Sequence, residues 1–150
     1  MNLNTIDVNS SNVAICIPQI YIICIMKPEP LVYVGQTCQK KGVLGRFHQH
    51  MSDGTLTTIM KEKGINEFEE ISVIAIDLSE YSIFNDVYNR KREALEYIIQ
   101  REMKAEGCKT AIPFKVISRV YYNSEVVNQK IEKLAKKIVK NIIHKIPFNK

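Results

Sequence analysis

Five side chains in the first hundred residues are of the types that cleavage of a phosphodiester requires: Tyr21, Tyr33, Arg46, His50 and Glu93. A phosphodiester is anionic and repels hydroxide. Its hydrolysis calls for an activated water, charge relief at phosphorus and help for the leaving oxygen. Arg46 offers a guanidinium that stays protonated and forks onto two phosphate oxygens. His50 follows four residues later, on the same face of a helix, where it relays a proton or binds the phosphate. A free phenol titrates near pH ~10, too high for a base at neutral pH. Tyr21 and Tyr33 therefore act on water only with a cation or Arg46 beside them, or by relay to another base. Glu93 is a hard oxygen ligand for one divalent ion, Mg²⁺ or Mn²⁺, with water filling the other positions. Each residue also has an ordinary reading. Arg46 pairs with Asp53 at the surface, the tyrosines are strand residues with hydroxyls at a sheet edge, and Glu93 is a solvated partner of Arg90 or Arg92. Glu96 shares much of the same helix face and is the rival ligand.

The elements that must position this group are legible in the hydrophobic pattern. Residues 1–12 are polar and rich in Asn and Ser, and read as a loose segment. Residues 13–17 are a short β-branched run stopped by Pro18. Residues 20–26, with four isoleucines and a tyrosine, read as a strand buried on both faces. The Lys27-Pro28-Glu29-Pro30 turn and a second strand over 31–35 make an antiparallel hairpin. A short helix is expected from residue 43 or 45 to 51, and a second over 59–63 with Thr57 or Thr58 as cap and Gly64 as stop. A third strand follows over 69–76. A long helix over 83–106 has the stripe Val87, Leu95, Ile98, Ile99, Met103 and ends at Gly107. Residues 111–122 read as a strand or an ordered crossing. Ser124 caps a last helix, 125–146, whose stripe Val127, Ile131, Leu134, Ile138, Ile142 steps by helical spacings. The fold class is α+β: a small, mainly antiparallel three-stranded sheet flanked by helices, with an added basic C-terminal helix. The nuclease-like unit spans 13–110, and 111–150 is an extension packed on the same domain.

Composition sets the outer bounds. The chain has 150 residues, 45% of them apolar and 25% charged, which suits one globular domain with a real core. No apolar run reaches spanning length, and the polar N-terminus does not read as a signal peptide. Four scattered cysteines form no C-x-x-C and read as reduced thiols, consistent with a cytoplasmic protein. The net charge of +5 is unevenly distributed: residues 1–100 hold 9 basic and 12 acidic side chains, and residues 101–150 hold 12 basic and 4 acidic. A positive C-terminal third suits an anionic polymer such as DNA. Lys133, Lys136, Lys137 and Lys140 on the last helix, and Lys40 and Lys41 beside the second strand, are the candidate phosphate contacts. A solvated face gives the same count. The last helix's apolar stripe either docks on the core or makes a homodimer, which would suit cutting both strands of a duplex.

With these elements in order, the chain resembles the GIY-YIG nucleases over residues 15–107. Gln19-Ile20-Tyr21 stands at the first motif and Tyr33-Val34-Gly35 at the second, with the tyrosines 12 positions apart. Arg46 and His50 follow on one helix, and Glu93 lies early in a later helix with Ala94, Leu95 and Tyr97 behind it. The resemblance implies a metal-dependent DNA endonuclease of restriction, phage or mobile-element type, working with one metal held by Glu93. It favours Glu93 over Glu96, and it implies that Tyr21 contacts the nucleophile while Tyr33 positions it. The chain departs from the family at Gln19, where glycine is usual, in a longer loop between Tyr33 and Arg46, and in lacking a late asparagine. The alternative is a non-catalytic nucleic-acid-binding module on the same fold; the third reading is a protein-interaction domain that uses the basic helix.

Overall fold

The computed structural model describes residues 3–6, 17–39, 41–52, 54–85, 90–120 and 126–149. Its centre is the hairpin of β2 (Gln19–Lys27) and β3 (Leu31–Thr37), joined through a cis Lys27–Pro28 bond. β4 (Glu69–Asp77) pairs antiparallel with the other side of β2. These are the three expected strands, each a residue or two longer than the apolar runs that announced them. Two short strands extend the sheet beyond the expected three. β1 (Leu3–Ile6), within the segment expected to be loose, pairs antiparallel with β4, and β5 (Lys115–Val116) pairs parallel with β3. The order is β1-β4-β2-β3-β5, an α+β fold with β2 in the middle. Most of the 13–17 run lies outside the described residues.

A central strand must be apolar on both faces, and β2 is. Ile20, Ile22 and Cys24 join one core cluster with Val32, Val34, Ile74 and Ile76, while Tyr21, Ile23 and Ile25 join a second with Leu31, Tyr33, Val73 and Ala75. Helices α1 (Gly42–Ser52) and α2 (Thr55–Glu62) supply Val43, Leu56, Ile59 and Met60 to the second cluster. Helix α2 begins four residues before its expected start. Gly54, in extended conformation, precedes it, and the Thr57 and Thr58 hydroxyls bond back to the Gly54 carbonyl from inside the first turn. Gly64, at φ +73°, takes the left-handed conformation that ends the helix.

The first cluster is covered by α3 (Arg90–Gly107) and α4 (Gln129–Ile142). α3 is shorter than its apolar stripe suggested: Ser82–Phe84 is a separate one-turn 3₁₀ helix, and Val87 lies outside the described residues. α4 starts at Gln129, where the Asn128 side chain accepts from the amides of Lys130 and Ile131. Ser124, the expected cap, is outside the described residues. Ile131, Ile138 and Ile142 are buried in the cluster, with Val127 and Leu134 packed against it. Of the two uses expected for this stripe, it makes the docking on the core. Phe148 packs against Phe114, and its carbonyl accepts from the amide of Ile112, tying the C-terminal turn to the β5 segment. Among the described residues no helix is long and apolar enough to cross a membrane.

Candidate active site at the open edge of β3

Antiparallel pairing sets Tyr21 opposite Gly35 and Ile23 opposite Tyr33, so the two phenols share one face as diagonal neighbours. Their ring centroids are 6.4 Å apart. The close approach of Tyr21 to β3 depends on Gly35. A Cβ there would lie 2.3 Å from both Cζ and Oη of Tyr21. The glycine of the second motif is therefore a steric requirement of the tyrosine of the first.

Helix α1 packs over this face and brings His50 down onto both rings. Tyr21 Oη lies 2.7 Å from His50 Nε2, and the Tyr33 ring meets the imidazole edge-on at 4.8 Å between centroids. His50 is buried, and burial together with the Arg46 charge lowers its pKa to about 4. The ring is thus neutral at physiological pH. Nε2 accepts from the phenol in one tautomer and donates in the other, while the buried Nδ1 has no hydrogen-bond partner among the described residues. Burial also drives both phenols up: Tyr33 to about 12, with Glu96 contributing next, and Tyr21 further, with Tyr33 contributing next. Arg46 opposes both shifts. Neither tyrosine is a phenolate on its own.

Arg46 is half-buried, donates from Nη1 to Gln49 Oε1 at 3.0 Å and also hydrogen-bonds the Tyr21 phenol; a guanidinium's five N–H groups exceed these two bonds. It lines a small cleft, of about 120 Å³, with Gln36, Thr37, Cys38 and Gln39. β5 covers β3 only at Leu31 and Val32. Beyond β5, Ser118 Oγ accepts from the Val34 amide, and the cleft lies farther along β3, at residues 36–39, beside Arg46 of α1.

The α3 contribution was not legible as expected. Glu93 is exposed, whereas Glu96, three residues on, is only 6% exposed. Glu96 acts electrostatically on Tyr21, Tyr33 and Arg46, and its pKa is raised to about 8, first by burial and then by Glu93. It belongs to a buried polar stripe at i, i+4 and i+8. Arg92 binds Gln36 and the Phe84 carbonyl, the Glu96 charge reaches the tyrosines, and Gln100 Oε1 accepts from the Val120 amide. Arg92 and Gln100 were missed from sequence. The signal was that four-residue spacing of polar side chains inside the apolar sector of α3.

A hard divalent ion fits this donor set. Among the described residues no three His, Cys, Asp or Glu side chains form a ready cage. A buried carboxylate raised to about 8 beside a second carboxylate is a site short of positive charge, and a largely hydrated ion would supply it.

The other called residues lie elsewhere. Lys41 is exposed at the start of α1, and Lys40 is outside the described residues. Lys133, Lys136, Lys137 and Lys140 are exposed on α4, in the helical layer on the opposite face of the sheet from Tyr21 and Tyr33. They form a surface of their own, separate from the cleft. Cys24 is buried, with its thiol pushed up to about 12 by burial, while Cys38 is half-buried and Cys108 exposed. No protein-family model, no curated protein and no solved structure matches the chain.

Proposed function

We propose that this protein is a metal-dependent DNA endonuclease resembling the GIY-YIG enzymes. The observation that carries the reading is the convergence of Tyr21, Tyr33, His50, Arg46 and Glu96 from four elements. Packing alone does not call for it: it buries two phenols, an imidazole and a carboxylate, and leaves His50 Nδ1 without a partner among the described residues.

In this reading Arg46 binds the scissile phosphate and neutralises charge as it builds on the equatorial oxygens. Tyr21 accepts a proton from the attacking water while passing its own to Nε2 of neutral His50. The phenol then never has to ionise against its raised pKa. His50 alone is a weak base, but an anionic phosphate beside it offsets the Arg46 charge and raises its basicity. Tyr33 packs against the imidazole edge and fixes its plane. Glu96, with Glu93 adjoining, would hold Mg²⁺ or Mn²⁺. The ion, when bound, supplies Lewis-acid stabilisation of the leaving oxygen. The exposed lysines of α4 would serve as a second contact to the DNA backbone. A restriction, phage or mobile-element role in the cytoplasm is part of this reading.

The test is cleavage of supercoiled plasmid with Mg²⁺ or Mn²⁺. Wild type should nick or linearise the plasmid, and Arg46→Ala should lose about 10²–10³-fold in rate while keeping its fold. DNA retention at low salt without any cutting would favour the non-catalytic binding module. Replacing Lys133, Lys136, Lys137 and Lys140 with Gln should flatten the slope of log affinity against log salt by up to about four. An unchanged slope would return α4 to packing alone.

A further inference from the structure

Gln36 directly follows Gly35, and its side chain is on the same face of β3 as Val34, toward α3. There it meets Arg92, which is only 2% exposed. Arg92 Nε donates to Gln36 Oε1 at 3.1 Å, and Nη1 donates to the Phe84 carbonyl. A guanidinium has donors and no acceptor. The Gln36 atom facing it must therefore be the carbonyl oxygen, which removes the usual ambiguity of an amide side chain. The Gln36 NH₂ group is left without a partner among the described residues, on a side chain that lines the Arg46 cleft.

The rest of the cleft has the same polarity. Arg46 has five N–H donors and keeps some beyond those it gives to Gln49 and Tyr21. Thr37 Oγ1 accepts from the Gln39 amide at 3.2 Å, so its own hydrogen is free to donate. No carboxylate lines the cleft. A small pocket with an arginine, an orientation-locked amide donor and a hydroxyl, and with no negative charge, suits an oxyanion better than a base or a cation.

We propose that this cleft is a phosphate subsite in which Gln36 donates its amide N–H to a backbone phosphate of the nucleic acid, and that Arg92 is the positioning residue that holds Gln36 in that orientation. The ligand is a phosphodiester oxygen adjoining the bond that Arg46 addresses, so the assignment rests on the nuclease reading for its partner. The alternative is that Arg92 merely ties α3 to β3, with the Gln36 amide facing solvent.

The two are separated by Gln36→Glu and Gln36→Met at a half-exposed position, and by Arg92→Lys alone and combined with Gln36→Met. Binding of a fluorescein-labelled DNA duplex is followed by anisotropy in EDTA at low salt, and plasmid cleavage by initial rates. Gln36→Glu should weaken duplex binding and raise KM about tenfold, with kcat changed less than about twofold. Gln36→Met should lose less, and Arg92→Lys should lose no more affinity in the Gln36→Met background than that variant alone. If both Gln36 variants bind the duplex within about twofold of wild type, the subsite is wrong, whether or not wild type cuts. If Arg92→Lys weakens binding equally with and without Gln36, its positioning role is wrong. If wild type binds and never cuts while Gln36→Glu still weakens binding, the nuclease reading fails and the subsite stands. If wild type does not bind the duplex, both fail.

Discussion

Glu96→Gln is expected to abolish metal-dependent cleavage, by at least about 10²-fold, while Glu93→Gln costs much less. The two carboxylates are one helical turn apart but differ in surroundings. Glu93 is exposed, whereas Glu96 is buried and acts on both tyrosines and on Arg46. Glutamine keeps the volume and removes only the charge. The reverse ranking, with Glu93→Gln inactive and Glu96→Gln active, would move the ligand back to the exposed carboxylate that the family spacing favours.

The same substitution carries a stability signature that a spectator carboxylate would lack. The folded pKa of Glu96, about 8, lies above its ordinary value of 4.5. The folded state thus holds the proton more tightly than the unfolded chain. The resulting stability is fully present below the unfolded pKa and is lost as pH rises through about 8. In EDTA, wild type should lose on the order of a few kcal/mol between pH 5 and 9, and Glu96→Gln should not follow it. Mg²⁺ at pH 8 should raise the wild-type urea midpoint and leave that of Glu96→Gln unmoved. His50 works in the opposite sense. Its pKa falls from 6.5 to about 4 on folding, so stability present above 6.5 declines as pH drops toward 4. Comparing His50→Gln with Glu96→Gln across pH therefore assigns each limb of the curve to its residue.

How much of this was readable in advance follows from where the determining forces act. The hairpin, β4 and α1 were legible because β-branched density, two prolines and flanking glycines act within a few residues. Register was not, yet register is what sets Gly35 beneath Tyr21. β1 and β5 were missed as parts of the sheet because strands of four and two residues exist through a neighbour's free edge, not through their own pattern. Which of Glu93 and Glu96 is buried turns on the rotation of α3 about its axis, and docking against β3 fixes that. A partial cue existed: Glu96 falls between Leu95 and Ile98, within the apolar sector, in step with Arg92 and Gln100. That Tyr21, Tyr33, Arg46 and His50 lie together was expected from order and spacing, which survive in the linear sequence. The lysines of α4 were found as a face, but their separation from the cleft depends on which side of the sheet the helix covers.

Gly35→Ala is the substitution with the largest expected effect outside the charged groups, although it adds one methyl and removes nothing. The new Cβ would fall 2.3 Å from Cζ and Oη of Tyr21 and 2.6 Å from Cε2. Tyr21 is 1% exposed and cannot swing into solvent. It is held by the Tyr33 ring on one side and by its hydrogen bond to His50 on the other. Relief must come from a shift of the ring or of the hairpin, at a cost of about 1–3 kcal/mol. A shift sufficient to clear the contact also breaks the 2.7 Å link to His50, so cleavage should fall about 10²-fold or more while DNA retention persists. The backbone at Gly35 is not in the left-handed region, which leaves the steric contact as the sole cause. Making Gly35→Ala in a Tyr21→Ala background tests this directly. With the phenol gone, the added methyl should cost almost nothing in urea midpoint; an undiminished cost would show that Gly35 is required by something other than the tyrosine above it.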